Sequence, residues 1–410
     1  MTQTLDVEVE SIAAGGDGVA RAAGLVVFLP RTAPGDAGRA QVELKGRFAR
    51  GDLVELTRPS SVRTEPLCAH YTRDRCGGCQ IQHIRYDAQL AAKQRIVHDS
   101  LSRIGGRATT LPDVRPSPRQ WRYRRKLTLA IRPRGAKWVA GLHPYDAPGR
   151  IFPLDDCPIT DERVLAAWRE VMAASAHFPR ARELRGAVRL LDAGSAFVLE
   201  GGTSWPQAGR FFEAVPSLSA LWWAPQSRRA EPIANRRAER TPSASFAQVN
   251  PVVADMLREY VVERVLGHAP RSVVDAYAGV GDTAAALAGR GVRVTAIELD
   301  ADAAAWCGRR LPAGSRAIAG RVEDHLGAAL PADVVLLNPP RAGVDARVAA
   351  ALGAPGAAPR AVVYVSCNPA TLARDLARMP ALRIASVVAF DMFPQTAHVE
   401  TVCELVPGAA

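Results

Sequence analysis

Nowhere in the 410 residues is there a run of about eighteen apolar side chains, the length that spans a bilayer. The opening MTQTLDVEVE also lacks the charged stretch followed by an apolar one that marks an export leader. These two absences argue against a membrane partner and make the cytoplasm the expected compartment. Cysteine is sparse and odd in number, seven residues at positions 68, 76, 79, 157, 307, 367 and 403. An odd count without a leader argues against a disulfide framework. Negative charge is in deficit, 41 Asp and Glu against 52 Lys and Arg, for a net charge of +11. An excess of that sign fits a polyanionic partner, most simply a nucleic acid.

What is present falls into three parts. Residues 1–60 alternate with period two in LDVEVESI, GVARAAGLVVFLP, GRAQVELKGRF and GDLVELTRPS, separated by glycine and Pro-Gly turns. Short strands at that spacing predict a small five-stranded, OB-like barrel. Residues 61–240 are mixed. They carry CAHYTRDRCGGCQIQH, then the amphipathic helical pattern DAQLAAKQRIVHDSLSRIGG, then strands and loops rich in proline and arginine. The polar stretch 226–245 reads as a linker or exposed loop. From 241 to 410 strands alternate with helices, which predicts an α/β, doubly wound, Rossmann-like domain.

The third part holds the chemistry. VVDAYAGVGDTAAALA, 273–288, is a strand, a glycine turn and a helix, without G-x-G-x-x-G spacing or a basic residue for a pyrophosphate. One strand later VTAIELD brings Glu298 to a strand end, where a carboxylate accepts both hydroxyls of a ribose, although an acid there also serves as a helix cap. A ribose acid without phosphate features suits S-adenosylmethionine better than NAD. LLNPPRAG then stops a strand with two prolines and leaves Asn338 at the rim of the pocket. YVSCNPATLARDL sets Cys367 between a buried strand and a helix opened by proline. Unpaired N–H groups at a helix mouth would lower the thiol pKa, so a nucleophile and a packing cysteine are both open at this point.

Cys68, Cys76 and Cys79 form C-x7-C-x2-C, and Cys157 in LDDCPIT is a plausible fourth ligand. Thiolates in that pattern suit zinc or iron–sulfur, and the spacing favours neither. Cys307 and Cys403 read as packing residues. Between Val114 and Trp138 nine residues are Arg or Lys and none is acidic, with Trp121, Tyr123 and Trp138 interleaved. Arginine for phosphate and aromatics for unstacked bases is the composition of a single-stranded RNA contact.

In this order, DAYAGVGD, NPPRAG, VSCNPATLARD and DMFPQTAHVET resemble the successive motifs of the RNA uracil-5-methyltransferases, specifically the bacterial 23S rRNA branch. The resemblance extends over nearly the whole chain. The barrel is similar to a TRAM domain, CGGCQIQH to the family's iron–sulfur segment, and SASFAQVN to its linker into the methyltransferase domain. It implies Cys367 as nucleophile and Glu400 as proton-abstracting base. It implies S-adenosylmethionine contacts at Gln248, Tyr277, Glu298 and Asn338. It also turns the four-cysteine set into a [4Fe–4S] site held by Cys68, Cys76, Cys79 and Cys157. Many relatives carry Asp where this chain has Asn338, and many have a shorter first gap between the cysteines. Phe246 is a candidate to stack on a flipped uridine. A monomer acting on 23S rRNA is expected, with a tRNA uridine as the alternative substrate.

The implied chemistry explains the residue types. C5 of uracil is a poor nucleophile until a thiolate adds to C6 and makes an enolate, and the C5 proton must then leave before the thiolate can. Two rivals account for less. A radical methylthiotransferase with a TRAM module needs a C-x3-C-x2-C triplet, which is absent. A non-catalytic RNA-binding protein leaves Cys367 and Glu400 together without explanation.

Overall fold

The computed structural model describes residues 2–135, 137–226, 228–237, 248–354 and 358–408. Strands β1 (Thr2–Ile12), β2 (Gly18–Ala22), β3 (Leu25–Leu29), β4 (Ala37–Lys45) and β5 (Phe48–Arg58) close into a barrel in the order β1-β2-β3-β5-β4. Alternation does the sorting: Val7, Val9, Val27, Leu29 and Val42 point inward while their neighbours face water.

After helices α1 (Ala69–Thr72) and α2 (Tyr86–Arg103), the short strand β6 (Asp113–Arg115) precedes a central sheet. That sheet is built from β7 (Lys126–Arg134), β8 (Lys137–Leu142), β9 (Phe152–Pro153), β10 (Leu184–Leu190), β11 (Ser195–Glu200), β12 (Leu218–Ala224) and β13 (Glu231–Asn235). Its order is β13-β12-β11-β10-β7-β8-β9. Helices α3 (Glu162–Ala173) and α4 (Ala208–Ala214) cover one core of Trp168, Phe178, Phe197 and Phe211.

The C-terminal sheet contains β14 (Ser272–Ala276), β15 (Arg293–Glu298), β16 (Arg316–Ala319), β17 (Val334–Leu337), β18 (Ala361–Ser366), β19 (Leu382–Phe390) and β20 (Glu400–Pro407). Its order is β16-β15-β14-β17-β18-β20-β19-β6, with β14 to β18 parallel and β20 antiparallel between β18 and β19. Helices α5 (Pro251–Leu266), α6 (Asp282–Ala288), α7 (Ala301–Arg310), α8 (Val322–Ala329), α9 (Ala346–Leu352) and α10 (Pro369–Ala377) complete this part. The parallel strands are apolar on both faces because a separate core packs on each.

Three expectations are corrected here. Helix α2 and strand β6 were read with the central part, yet Val97, Leu101 and Val114 pack into the C-terminal core and β6 pairs with β19. The apolar stripe of α2 needs a partner, and the edge of that sheet supplies one. The stretch read as a linker contains β13, whose Pro232 is tolerated because it lies on a sheet edge. The interleaved aromatics are packing groups. Tyr123 is buried and donates its hydroxyl to Pro394 O (3.0 Å), Trp138 packs edge-on against Phe178, and Trp121 packs beside Cys68 and Cys79. Phe246 lies outside the described residues. Among the described residues no helix is long and apolar enough to cross a membrane.

The three parts meet on one buried segment, 391–399, which joins β19 to β20. Ile12 and Ala33 of the barrel, Ile81 and Ile84 of the cysteine loop, Ala92 and Ile96 of α2, and Ala397 form a single apolar cluster there. Beside it Lys93, fully buried, donates to Asp391, also fully buried, and to Phe393 O (3.0 Å). Removing one member of a buried ion pair leaves the other charge uncompensated, at about 3–5 kcal/mol. Lys93→Met is therefore expected to lower the urea unfolding midpoint by the equivalent of about 3–5 kcal/mol. The double variant Lys93→Met/Asp391→Leu is expected to recover most of that loss. A single variant that unfolds at the original midpoint would show the pair to be dispensable.

Candidate active site

The carboxyl ends of β14, β15, β17 and β18 lie along one edge of the C-terminal sheet, as strand register requires. Ala276 is paired with both Ile297 and Leu337, so the next residues, Tyr277, Glu298 and Asn338, stand side by side. The turn after β14 is tight. Tyr277 adopts φ +65 and Gly281 φ +80, and a Cβ at Gly281 would lie 2.3 Å from Cys307 Sγ, so only glycine fits. The Cys307 thiol is thus the packing group that the sequence indicated. The Glu298 carboxylate accepts from Gly279 N–H (2.8 Å) and Asp300 N–H (2.8 Å), one on each oxygen. Each oxygen keeps a second lone-pair site for a diol.

Asn338 is exposed after β17, with its backbone N–H on Ala276 O (3.2 Å). Gln248 is half-buried two residues before Asn250, whose amide donates to Ser117 Oγ (3.1 Å) and Met392 O (3.4 Å). The turn also contains a group that sequence reasoning missed. Asp275 on β14 is buried, one carboxylate oxygen has no hydrogen-bond partner, and burial pushes its pKa up to about 7. An acid inside the otherwise apolar VVDAY was the available signal.

Cys367 and Glu400 are brought together by strand pairing. Antiparallel β18 and β20 match Ser366 with Thr401, and one step further along the same register sets Cys367 opposite Glu400. Cys367 is half-buried, and Glu400 is buried at 4 % exposure. The helix does not activate the thiol as its position suggested. The Asn368 side chain occupies the helix mouth, accepting from Ala370 N–H (3.1 Å) and Thr371 N–H (3.4 Å). Burial, and next the neighbouring Glu400, push the Cys367 thiol above its ordinary value.

The opposing influence is Arg341, whose positive charge draws the thiol pKa down. Arg341 acts in the same direction on Glu400, which burial pushes up to about 8. It was visible in NPPRAG but was not singled out there. Its loop is held by α10: Thr371 Oγ1 donates to Arg341 O (3.1 Å) and Arg374 to Ala342 O (2.6 Å). Fully buried Asp375 accepts from Val344 N–H (2.9 Å) and from the Tyr364 hydroxyl (2.7 Å). A Cβ at Gly343, φ +82, would fall 2.1 Å from Asp375, which is why the loop turns on glycine.

The four candidate ligand cysteines also converge. Cys68, Cys76, Cys79 and Cys157 line one cavity of about 300 Å³ that continues to Arg341 and His398. All four are unpaired thiols, and burial pushes Cys76 up to about 11 and Cys79 up to about 12. Among the described residues no group of three or more His, Cys, Asp or Glu side chains that could hold a metal ion is found, so the expected metal site is not borne out by the geometry. An iron–sulfur cluster has a different requirement, because its thiolates bind separate irons around a volume.

A sequence profile described as tRNA (Uracil-5-)-methyltransferase matches residues 320–406. A Gloeobacter violaceus protein described as an uncharacterized RNA methyltransferase is 34% identical over 448 residues, spanning 98% of this chain and 96% of the relative. A Protochlamydia amoebophila protein of the same description is 30% identical over 427 residues, spanning 97% and 96%. The crystal structure of Pyrococcus abyssi tRNA (uracil-54, C5)-methyltransferase with S-adenosyl-L-homocysteine superposes with TM-score 0.70 at 25% identity. That match covers 98% of this chain and 100% of the archaeal one.

Replacing Arg341 with Met removes the cation beside Cys367. Iodoacetamide alkylation of Cys367 is then expected to slow at pH 8, by about tenfold for each unit the thiol rises. In both proteins alkylation speeds up as pH rises, because thiolate is the reacting form. Peptide mass spectrometry separates Cys367 from the other cysteines. Equal rates for the two proteins at every pH would remove Arg341 from the site.

Proposed function

The chain belongs to the S-adenosylmethionine-dependent RNA (uracil-5-)-methyltransferases, and from that premise we propose that it methylates one uridine of 23S rRNA through a covalent adduct on Cys367. The single observation that carries the catalytic assignment is the β18–β20 register, which sets Cys367 opposite Glu400 within reach of the one guanidinium of Arg341. Cys367 Sγ adds to C6 of the uracil, and the electron pair moves toward O4 and C5. When bound, S-adenosylmethionine supplies the electrophilic methyl group. Glu400 then takes the C5 proton, the C6–S bond breaks, and thiolate returns to Cys367.

Tyr277, Glu298, Asn338 and Gln248 are assigned to the cofactor. The support is the placement of Tyr277, Glu298 and Asn338 on one sheet edge and the spare acceptor sites of Glu298 beside the glycine turn. Asp275, with its unpartnered oxygen, is a further acceptor in that turn. The four cysteines are assigned to a [4Fe–4S] cluster, supported by four unpaired thiols around one cavity. The barrel is assigned as a TRAM module. The enzyme is proposed to work as a monomer in the cytoplasm, where its RNA is.

Cys367→Ala is expected to abolish methylation and any covalent complex with 5-fluorouridine RNA. Glu400→Gln is expected to accumulate protein bound to methylated RNA, because elimination stalls after transfer. Normal turnover by either variant would overturn the assignment of that residue.

The archaeal structural relative acts on a tRNA, and this favours tRNA as the second reading. Mass spectrometry of nuclease fragments from a deletion strain separates the two. Loss of one methyl group from a 23S fragment, restored by the gene, is the expected result. Loss from a tRNA fragment instead would establish the second reading.

A further inference from the structure

We propose that Arg124, Lys126 and Arg189 form a phosphate clamp, which holds the RNA strand next to the target uridine beside the active-site cavity. This inference rests on RNA as the substrate and is the same for an rRNA or a tRNA.

Strand register brings the clamp together. Strands β7 and β10 are antiparallel, and Lys126 is the direct partner of Arg189. Both lie on the sheet face opposite the core that Leu127, Leu129, Val188 and Leu190 enter. Like charges directly opposite each other on a sheet are destabilising. Arg124 joins the same corner, its Nε donating to Lys126 O (2.9 Å).

Other cations nearby are already neutralised. Arg122 pairs with Asp156 (2.8 Å), Arg132 with Glu183 (3.1 Å) and Arg185 with Glu200 (3.0 Å). Among the described residues no carboxylate stands at ion-pair distance from Arg124 or Lys126. Arg134 and Lys137 also face each other, but at an exposed hairpin tip where water and salt screen them.

The corner is fixed against the active site. Arg124, Leu127 and Thr128 line the cavity that continues to Arg341 and His398. Arg124 N–H donates to Ile159 O (2.9 Å), and Arg124 O accepts from Asp161 N–H (3.0 Å). Arg125 N–H donates to Val249 O (2.8 Å), next to Gln248, while Arg125 O accepts from Leu190 N–H (2.9 Å). Cations crowded at a cost beside a cavity fit a polyanion that enters it. An RNA strand whose uridine reaches Cys367 carries flanking phosphates, and their oxygens match guanidinium and ammonium donors. Such contacts set the strand's register without reading its sequence.

The test uses full-length protein carrying Cys367→Ala as the parent, so that binding is read without adduct formation. Transcripts of 23S rRNA and of tRNA are the probes, and filter binding is measured over a range of salt. Arg124→Met and Lys126→Met are each expected to weaken binding about fourfold at about 0.15 M salt. Each is also expected to reduce the slope of log affinity on log salt by about 0.7, the value for one phosphate of a single strand. Lys126→Arg, which keeps the charge, is expected to restore both. The unfolding midpoint of Lys126→Met at low salt is expected not to fall, because the change removes a cation facing Arg189. Arg293→Met, at the far end of β15 from Glu298, controls for net charge and is expected to leave the slope unchanged. An unchanged slope in Arg124→Met/Lys126→Met, or an equal loss in Arg293→Met, would overturn the clamp alone. A parent protein that binds neither transcript would overturn RNA as the substrate, and this inference with it.

Discussion

The segment 391–399 must be buried without being a helix or a strand, and much of the architecture follows from that constraint. Irregular backbone in the interior has no ladder to satisfy its N–H and C=O groups, so partners must come from elsewhere. They come from the cysteine loop, α2, and the segments around Tyr123 and Asn250. Gln395 exchanges two hydrogen bonds with Gln89 (2.9 and 3.0 Å), and Gln89 also donates to Ile81 O (3.2 Å) and Ile84 O (2.8 Å). Ile81 N–H donates to Gln395 O (3.2 Å), and Gln80 Oε1 accepts from Ala397 N–H (3.4 Å). Tyr123 reaches Pro394, and Asn250 reaches Met392. This grip fixes where β20 begins, and the first residue of β20 is Glu400.

One consequence is that the cysteine loop and the active site are mechanically a single body. Gln80 and Ile81 follow Cys79 directly, and both bond to the segment that leads into Glu400. Whatever shapes residues 76–79 therefore also shapes the approach to the base. Positioning of this kind would be the role of the proposed cluster in an enzyme whose chemistry exchanges no electrons.

Local pattern made the architecture legible and left the long-range electrostatics hidden. Period-two alternation exposed the barrel, strand–helix alternation exposed the C-terminal sheet, and the turns bearing Tyr277, Glu298, Asn338 and Cys367 followed from where strands stop. The partners of α2 and β6 did not follow, because an amphipathic stripe states that a face is buried but not against what. The direction of the Cys367 shift was also out of reach. Proline after the thiol announced a helix start correctly, but whether Cys367 or Asn368 meets the first N–H groups depends on the conformation of the cap. The aromatics between Arg115 and Trp138 misled for a similar reason, since composition cannot distinguish a ring offered to a base from one closing a core. Tyr123, at 3 % exposure, closes one.

Arg341 sets the order of events on the proposed pathway. Its charge draws down both the Cys367 thiol and the Glu400 carboxyl, and two neighbouring anions cannot share it at full strength. While the thiol is free, ionising it competes with ionising Glu400, and burial holds both above their ordinary values. Addition to C6 ends the competition, because the sulfur becomes an uncharged thioether and its negative charge moves onto the uracil. Methylation at C5 then consumes that charge. Glu400 then has the charge of Arg341 to itself, unshared with the thiol, at the stage when a base is needed. His398, on the same cavity, does not compete, because burial, with Arg341, Lys93 and Arg124 nearby, keeps its imidazole neutral. One guanidinium, held in place by the α10 contacts to its loop, can thus serve the nucleophile first and the base second without moving.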